Sequence, residues 1–210
     1  FNYVMCVLTD AGSHTSTAYK RLVEAAREEG KLDFGSEATV GPYDWQRCKK
    51  SGSPKAPRAH FDSVSKKLYL NFDHYCPWMN SAIGWRNYRF FFLFLLWVWT
   101  GCGYAFALTL GPFLTANSGD RARVRTLTFE TRTTVRSIFI MVTAVGIAVS
   151  LLFFWHVYLV LSAQTTIEFH INRTQSQKCR TRGTIYTNPY DMGWKRNWEH
   201  VFGEGHVLLS

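Results

Sequence analysis

Charged side chains are scarce in this chain, and two long segments lack them almost entirely. Only 19% of the 210 residues are Asp, Glu, Lys or Arg, and none of these lies in 90–119 or in 137–167. The one histidine inside those segments is His156. Each segment exceeds the roughly 20 apolar helical residues that cross a hydrocarbon core about 30 Å thick. This scarcity excludes a fully soluble chain and predicts two membrane-spanning helices, over 90–114 and 137–163.

The chain also lacks closely spaced pairs of cysteines. None of the chain's cysteines forms the C-x2-C pattern that zinc sites and many disulfide frameworks use. The five cysteines are Cys6, Cys48, Cys76, Cys102 and Cys179. Their wide spacing argues against a disulfide framework and against an intact thiolate zinc site. Proline and glycine number only 6 and 15, so the composition also excludes a collagen-like or wholly disordered chain.

The remaining segments are polar and basic, and the net charge is +9. Residues 11–89 form the largest polar block, in which the composition of 16–29 predicts a helix ended by Gly30 and that of 41–57 predicts a loop. The apolar run that starts at Phe1 predicts the last turns of another membrane helix, with an ordinary buried strand or helix start as the alternative. Both flanks of the apolar segments are basic, so the positive-inside rule assigns no orientation. No internal repeat is visible.

One cysteine has neighbours that suit nucleophilic chemistry. Cys76 follows Asp73 and His74 in the run from Phe72 to Trp78. A thiol with the ordinary pKa of about 8.5 is mostly protonated at neutral pH. A nearby imidazole can take that proton, and a carboxylate can orient the imidazole and stabilise its charged form. The three residue types therefore suit an activated thiol, although their proximity alone leaves coincidence as an alternative.

The surroundings of Cys76 resemble the DHHC family of membrane S-acyltransferases, the protein palmitoyltransferases. The similar segment is 57–94, PRAHFDSVSKKLYLNFDHYCPWMNSAIGWRNYRFFFLF. Three more of the family's motifs are present, one before this segment and two after it, in the same order as in the family. Asp10-Ala11-Gly12 resembles its Asp-Pro-Gly motif, 165–168 match its Thr-Thr-x-Glu motif, and 188–203 resemble its C-terminal aromatic motif. The resemblance covers nearly the whole chain.

The resemblance implies an all-α polytopic membrane protein with a small, irregular domain between its transmembrane helices, and we expect this domain to be zinc-free because this sequence departs from the family at the zinc-ligand positions. The expected order is the end of a truncated membrane helix at 1–9, a cytosolic DHHC-type domain at 10–89, a membrane helix at 90–114, a non-cytosolic loop at 115–136, a membrane helix at 137–163 and a cytosolic C-terminal region at 164–210. The family's location implies the endoplasmic reticulum, the Golgi or the plasma membrane, with the active loop facing the cytosol.

By position, the resemblance implies that Cys76 receives a fatty acyl group from acyl-CoA as a thioester and passes it to a cysteine of a substrate protein. His74 would be the general base and Asp73 its orienting partner. Two acyl transfers through one thiol imply ping-pong kinetics. The expected partners are acyl-CoA, cysteine-bearing proteins and the bilayer, and no nucleic-acid-binding module is recognisable. A catalytically inactive membrane scaffold with the same fold is the alternative.

The same resemblance implies supporting roles for three further sets of residues. Those expected beside the active loop are Thr165, Thr166, Glu168 and Asn188. Those expected to line the acyl cavity are Trp78, Phe91, Phe94 and Gly101. Those expected to hold the phosphates of CoA are Lys49, Lys50, Arg58, Lys66 and Lys67. For this last set a solvated charged face is the alternative.

Most of the family's zinc ligands are missing. Family members fold this domain on two zinc ions, with six Cys and two His. Aligned on Asp73 to Cys76, those positions are Cys48, Ser51, Phe61, Asp62, Ser65, Leu68, Tyr75 and Ala82. A structural zinc site needs four ligands, which one thiolate cannot supply. We therefore predict no bound zinc. The residues expected to form an apolar core in its place are Phe61, Leu68, Tyr69, Leu70 and Phe72.

Overall fold

The computed structural model describes residues 1–32, 41–118 and 128–203. The chain divides into two compact units. One contains Phe1–Phe91 and the chain from Tyr158 onward, and the other contains Phe92–Val157. The helices in the described ranges are α1 (Asn2–Leu8), α2 (Thr17–Glu28), α3 (Tyr88–Ala116), α4 (Phe129–Leu161), α5 (Thr166–Thr181) and α6 (Trp194–Phe202).

Two of these helices, α3 and α4, are long and apolar enough to cross a membrane. They contain 29 and 33 residues, and their mean hydropathy values are 1.8 and 2.5. Within the second unit they pack through aromatic side chains. Trp99 Nε1 donates to Ser150 Oγ at 3.0 Å, and the Trp99 ring stacks on Phe153 with centroids 5.1 Å apart. Phe113 stacks on Phe139 with centroids 4.0 Å apart. The two predicted spans are thus confirmed as long apolar helices.

The predicted loop over 115–136 is wrong in its last part, because α4 begins at Phe129. The sequence offers no Pro or Gly between that residue and the apolar segment, so nothing interrupts the helix there. Thr128 Oγ1 accepts the N–H of Thr131 at 3.1 Å and so caps the helix at its start. The arginine-rich part of the predicted loop, 119–127, lies outside the described residues.

The described residues of the polar block 11–89 include three short antiparallel hairpins, so the prediction of an all-α chain with an irregular domain is wrong in this region. The strands are β1 (Gln46–Arg47), β2 (Pro54–Lys55), β3 (His60–Asp62), β4 (Lys67–Tyr69), β5 (His74–Cys76) and β6 (Ser81–Ile83). They pair in order, β1 with β2, β3 with β4 and β5 with β6. The first hairpin lies within 41–57, where a loop was predicted. Strands of two or three residues are too short for the alternation that identifies a strand in a sequence.

The predicted apolar core is confirmed, and it consists of two clusters. One combines Leu68, Leu70 and Phe61 with Tyr19 of α2. The other combines Tyr69 and Phe72 with Ala82, Tyr75 and Ile167 of α5. The hairpins are thus held between α2 and the first turn of α5.

The predicted helix over 16–29 is also confirmed, as α2. Ser16 caps it by accepting the N–H of Tyr19. The Tyr19 ring is buried, and its hydroxyl donates to the Pro54 carbonyl at 2.8 Å and accepts the N–H of Ala56 at 3.1 Å. These contacts fix α2 on the first hairpin.

Candidate active site

Three side chains spaced 14 residues apart occupy the same place in the three hairpins. They are Cys48, Asp62 and Cys76, and each stands at the end of a first strand or directly after it. Each side chain accepts the backbone N–H groups of the residues two and three positions further on. The residue four positions on has a left-handed backbone, with φ values of 69°, 57° and 45° at Gly52, Lys66 and Asn80. The described part of the polar domain therefore contains the same turn three times, each around a buried side chain that accepts two backbone N–H groups.

The third of these turns holds the thiol of Cys76, which is 5% exposed. Burial raises the pKa of this thiol. The hydrogen bond with His74, the N–H groups of Met79 and Trp78 and the positive charge of His74 together outweigh burial, so the pKa of Cys76 is lowered. The turn thus favours the thiolate, which is the nucleophilic form of cysteine.

His74 is the residue whose positive charge favours the thiolate form of Cys76. Burial lowers the pKa of His74, but the hydrogen bonds with Asp73 and Cys76, together with the negative charges on both, raise it to about 9. Nδ1 of His74 donates to Oδ2 of Asp73 at 2.6 Å. The edge of the ring meets Phe91, with centroids 5.3 Å apart. At neutral pH, therefore, His74 is positively charged, and this charge favours the thiolate form of Cys76.

Asp73 is 1% exposed, and its carboxylate is held by the start of α5. Oδ1 accepts the N–H of Thr166 at 2.7 Å, and Oδ2 accepts the Thr166 hydroxyl at 3.0 Å. A helix N-terminus favours a negative charge, because its first N–H groups have no partner within the helix. The structure thereby joins Thr166, Asp73, His74 and Cys76 in one hydrogen-bonded series.

The two neighbouring motif residues act on α5 itself. Thr165 Oγ1 accepts the N–H of Glu168 at 3.2 Å, and Oε2 of Glu168 accepts the N–H of Thr165 at 2.9 Å. This reciprocal pair is a capping box, which satisfies two N–H groups at the helix start. Asn188 lies elsewhere, with Nδ2 donating to the Ser162 carbonyl at 2.8 Å. Of the four predicted supporting residues, only Thr166 contacts the Asp73 carboxylate in these bonds.

The sequence model of the DHHC palmitoyltransferase family matches residues 42–173, more than half of the chain. The chain belongs to the DHHC palmitoyltransferase family. The segment that matches contains all three hairpins, both candidate spans and the first turn of α5.

Several curated proteins of this DHHC family are similar to the chain. Palmitoyltransferase ZDHHC16A of Danio rerio is 28% identical over 208 residues, which cover 74% of this chain and 51% of that protein. Probable protein S-acyltransferase 16 of Arabidopsis thaliana is 33% identical over 164 residues, which cover 76% and 55%. Probable protein S-acyltransferase 15 of Arabidopsis thaliana is 28% identical over 208 residues, which cover 99% and 76%. The chain spans about half the length of the first two relatives.

The residues at the DHHC family's zinc-ligand positions do not fit zinc. Phe61 and Leu68 are cross-strand partners in one hairpin, and Tyr75 and Ala82 are cross-strand partners in another. The Asp62 carboxylate is occupied by the N–H groups of its own turn and by the Ser65 hydroxyl at 2.6 Å. Cys48 is hydrogen-bonded to Ser51. Apolar pairs and hydrogen-bonded turns therefore stand where the family has metal ligands.

The residues proposed from the DHHC resemblance for acyl-CoA are placed unevenly. The ring of Phe91 meets His74, whereas Trp78 is 87% exposed, and Phe94 and Gly101 belong to the second unit. The four lysines predicted for the CoA phosphates are all exposed. They are Lys49, Lys50, Lys66 and Lys67. Arg58 is not exposed with them, because its guanidinium is paired with Glu168 at 2.7 Å.

One buried polar residue of the site was missed by sequence reasoning. Asn87 is 0% exposed, and its Nδ2 donates to the carbonyls of Cys6 at 3.1 Å and Ala82 at 2.9 Å. Its Oδ1 accepts the N–H of Gly84 at 2.9 Å. The amide thus fastens α1 to β6, the strand that pairs with the Cys76 strand β5. Its only signal in the sequence is an uncharged polar residue directly before an apolar span.

Proposed function

We propose that this chain is a protein S-acyltransferase that moves a fatty acyl group from acyl-CoA, through a thioester on Cys76, to a cysteine of a substrate protein. The observation that carries the proposal is the hydrogen-bonded series from Thr166 through Asp73 and His74 to Cys76. It combines a thiol favoured as thiolate, a charged imidazole and a buried carboxylate. Membership of the DHHC family and the names of the relatives support the same reaction.

In the first transfer, the Cys76 thiolate attacks the thioester carbonyl of acyl-CoA. The bond from that carbonyl to the CoA sulfur breaks, and the departing sulfur takes a proton from the charged His74. In the second transfer, the neutral His74 takes the proton of the substrate thiol, and the resulting thiolate attacks the acyl group on Cys76. The Cys76 thiolate leaves next to the again-charged imidazole, which restores the starting state.

The wider setting is proposed from the same family. The hairpin domain and the C-terminal region face the cytosol of an endomembrane or of the plasma membrane, and the connection between the two spans lies on the opposite side of the membrane. Phe91, whose ring meets that of His74, contributes to the acyl cavity. Lys49, Lys50, Lys66 and Lys67 provide an exposed positive charge that attracts the phosphates of CoA.

The proposal includes a domain that folds without zinc. The two apolar clusters and the turns of Cys48 and Asp62 support it, because they supply contacts at or beside the positions where the family has its zinc ligands. Burial of apolar area stabilises these contacts by about 25 cal/mol per Å².

The test is labelling with a palmitoyl-CoA analogue that carries a detectable tag. The wild type should form a thioester that hydroxylamine cleaves, and Cys76→Ala should form none. Cys48→Ser is the matched control, because Cys48 occupies the equivalent turn of the first hairpin and serine keeps an acceptor for its N–H groups, and Cys179→Ala controls for a cysteine outside the hairpins. Both should label like the wild type. Labelling of Cys76→Ala at the wild-type level would contradict the role of Cys76. A folded wild type that takes no label would favour a scaffold.

A further inference from the structure

Arg58, in the loop between β2 and β3, is bound on two sides. Nε donates to Oε1 of Glu168 at 2.7 Å, and Nη2 donates to Oε2 at 2.7 Å. Nη2 also donates to the carbonyl of Ala163 at 3.0 Å. The Arg58 and Glu168 side chains are only 15% and 7% exposed. Such a forked pairing of guanidinium with carboxylate is among the strong and directional contacts in proteins.

Both residues joined by the hydrogen bond from Arg58 to the Ala163 carbonyl have strained backbones. Arg58 has φ 61° and Ala163 has φ 50°, values in the left-handed region that residues other than glycine seldom adopt. Such conformations persist only where surrounding contacts hold them, and they concentrate at functional sites. The bond from Arg58 to the Ala163 carbonyl directly joins the two strained residues.

Glu168 connects Arg58 to the start of α5, which in turn binds the Asp73 carboxylate. The Glu168 oxygen that binds Arg58 Nη2 also accepts the N–H of Thr165 at 2.9 Å. The next residue, Thr166, donates both its N–H and its hydroxyl to Asp73. The orientation of these two donors therefore depends on the position of the capping box, and Arg58 holds the capping box.

A tyrosine of the C-terminal region packs against the Arg58 guanidinium. The Arg58 Cζ atom lies 4.5 Å from the centre of the Tyr190 ring. The Tyr190 hydroxyl donates to the Pro42 carbonyl, and the Tyr43 hydroxyl donates to the Pro189 carbonyl at 2.6 Å. A guanidinium enclosed by Glu168 and an aromatic face is poorly placed to hold an external phosphate.

We propose that Arg58 is a positioning residue of the acyl transfer and does not bind CoA. It holds Glu168, and through the start of α5 it keeps Thr166 on Asp73, so that His74 stays aligned with Cys76. This inference rests on the proposed function of Cys76, but it predicts an effect on the thiol that needs no acyl-CoA.

The experiment measures how fast iodoacetamide alkylates Cys76 at a series of pH values, followed by mass spectrometry of the peptide that contains Cys76. The chain is purified in detergent as wild type, Arg58→Gln, Arg58→Lys, Thr166→Val and the double variant Arg58→Gln/Thr166→Val. Arg47→Gln is the matched control, because Arg47 is an exposed arginine of the same domain. Thioester formation from palmitoyl-CoA and the midpoint of thermal unfolding are measured on the same samples.

Arg58→Gln should move the alkylation midpoint to higher pH and slow thioester formation about tenfold to a hundredfold, because small misplacements of catalytic groups have effects of that size. Arg58→Lys should recover part of both, since lysine keeps the charge but not the fork. The double variant should be no slower than the slower single variant, because both changes break one series. Arg47→Gln should match the wild type.

An Arg58→Gln protein that unfolds at a lower temperature but keeps the wild-type alkylation midpoint would overturn the positioning role. Additive effects in the double variant would also overturn it. A wild type that forms no thioester, combined with the shifted midpoint in Arg58→Gln, would contradict the proposed acyl transfer and still support the link from Arg58 to Cys76.

Discussion

The β3–β4 and β5–β6 hairpins have the same construction, yet only one of them has the geometry for catalysis. Each has two three-residue strands joined by four residues, and each begins with a histidine, His60 or His74. The third residue of each first strand, Asp62 or Cys76, is buried and accepts the N–H groups of the following turn. The backbone alone therefore does not create the reactive site.

The two histidines differ in charge because their neighbours differ. Burial lowers the pKa of His60, the positive charges of Lys55 and Arg58 lower it further, and the opposing effect of Glu168 is too small, so it falls to about 4. The pKa of His74 rises to about 9, although burial acts on it in the same direction. The residue before His60 is Ala59, whereas the residue before His74 is the carboxylate Asp73. The carboxylate and thiol beside His74, and the two cations beside His60, thus decide which hairpin holds a charged imidazole.

The largest expected effect comes from removing that carboxylate. Asp73→Asn should slow thioester formation about 10²- to 10⁴-fold, the usual range for lost acid–base assistance, because a neutral amide cannot stabilise the charged His74. The rate is measured with labelled palmitoyl-CoA in single turnover. Asp44→Asn, a change at an exposed aspartate, should leave the rate unaltered. An Asp73→Asn protein that reacts at the wild-type rate would show that the carboxylate has no part in the chemistry.

The next test compares the two histidines by the pH dependence of Cys76 alkylation. Thiolate is the reactive form, so a lowered pKa keeps the rate high until the pH falls below that value. His74→Ala removes the neighbouring positive charge, so the midpoint should rise toward the ordinary thiol value of about 8.5. His60→Ala should leave the midpoint unchanged. Equal midpoints for His74→Ala and the wild type would mean that the turn alone lowers the pKa.

A third test concerns packing in the non-catalytic hairpin. Leu68 is 0% exposed and faces Phe61 across the strands, whereas the equivalent position of the catalytic hairpin is already Ala82. Leu68→Ala should lower the free energy of unfolding by about 2–5 kcal/mol, because it leaves a cavity in the core. The midpoint of thermal unfolding in detergent checks this. Val64→Ala, at a residue that is 60% exposed, is the control and should have little effect. An unfolding midpoint of Leu68→Ala equal to that of the wild type would mean that the pair of Leu68 and Phe61 does not stabilise the domain.

The smallest expected effect is that of metal removal. Because apolar pairs replace the family's ligands, treatment with a strong chelator should change neither the unfolding midpoint nor the rate of thioester formation. Metal analysis of the purified protein should find far less than one zinc per chain. A zinc content near one per chain, or loss of folding on chelation, would contradict a metal-free domain.

Much of this arrangement follows from local patterns in the sequence. The spans follow from runs without charge, α2 follows from Ser16 and Gly30 at its ends, and the site follows from Asp73, His74 and Cys76 as neighbours. The repeated turn does not follow, because backbone N–H groups bind Cys48, Asp62 and Cys76 alike whatever residues supply them. Only the interval of 14 residues could have indicated it.

Long-range contacts are the other part that the sequence conceals. Arg58 and Glu168 are separated by 110 residues, so no spacing rule connects them. Arg58 also resembles the neighbouring lysines in charge, and only its burial separates it from them. The start of α4 at Phe129 was missed for a simpler reason. Apolar runs locate the part of a helix that crosses a membrane but not its polar extension.

The bonds between Thr166 and Asp73 also determine when during biosynthesis the site can become complete. The two residues are 93 positions apart, and both candidate spans lie between them. Closing a connection of this length costs entropy that only the finished contacts offset. A nascent chain that has exposed Cys76 still lacks α5, because synthesis proceeds from the N-terminus and residue 166 emerges after both spans. The thiol therefore gains its fully aligned partner only at a late stage, after the membrane segments have been made.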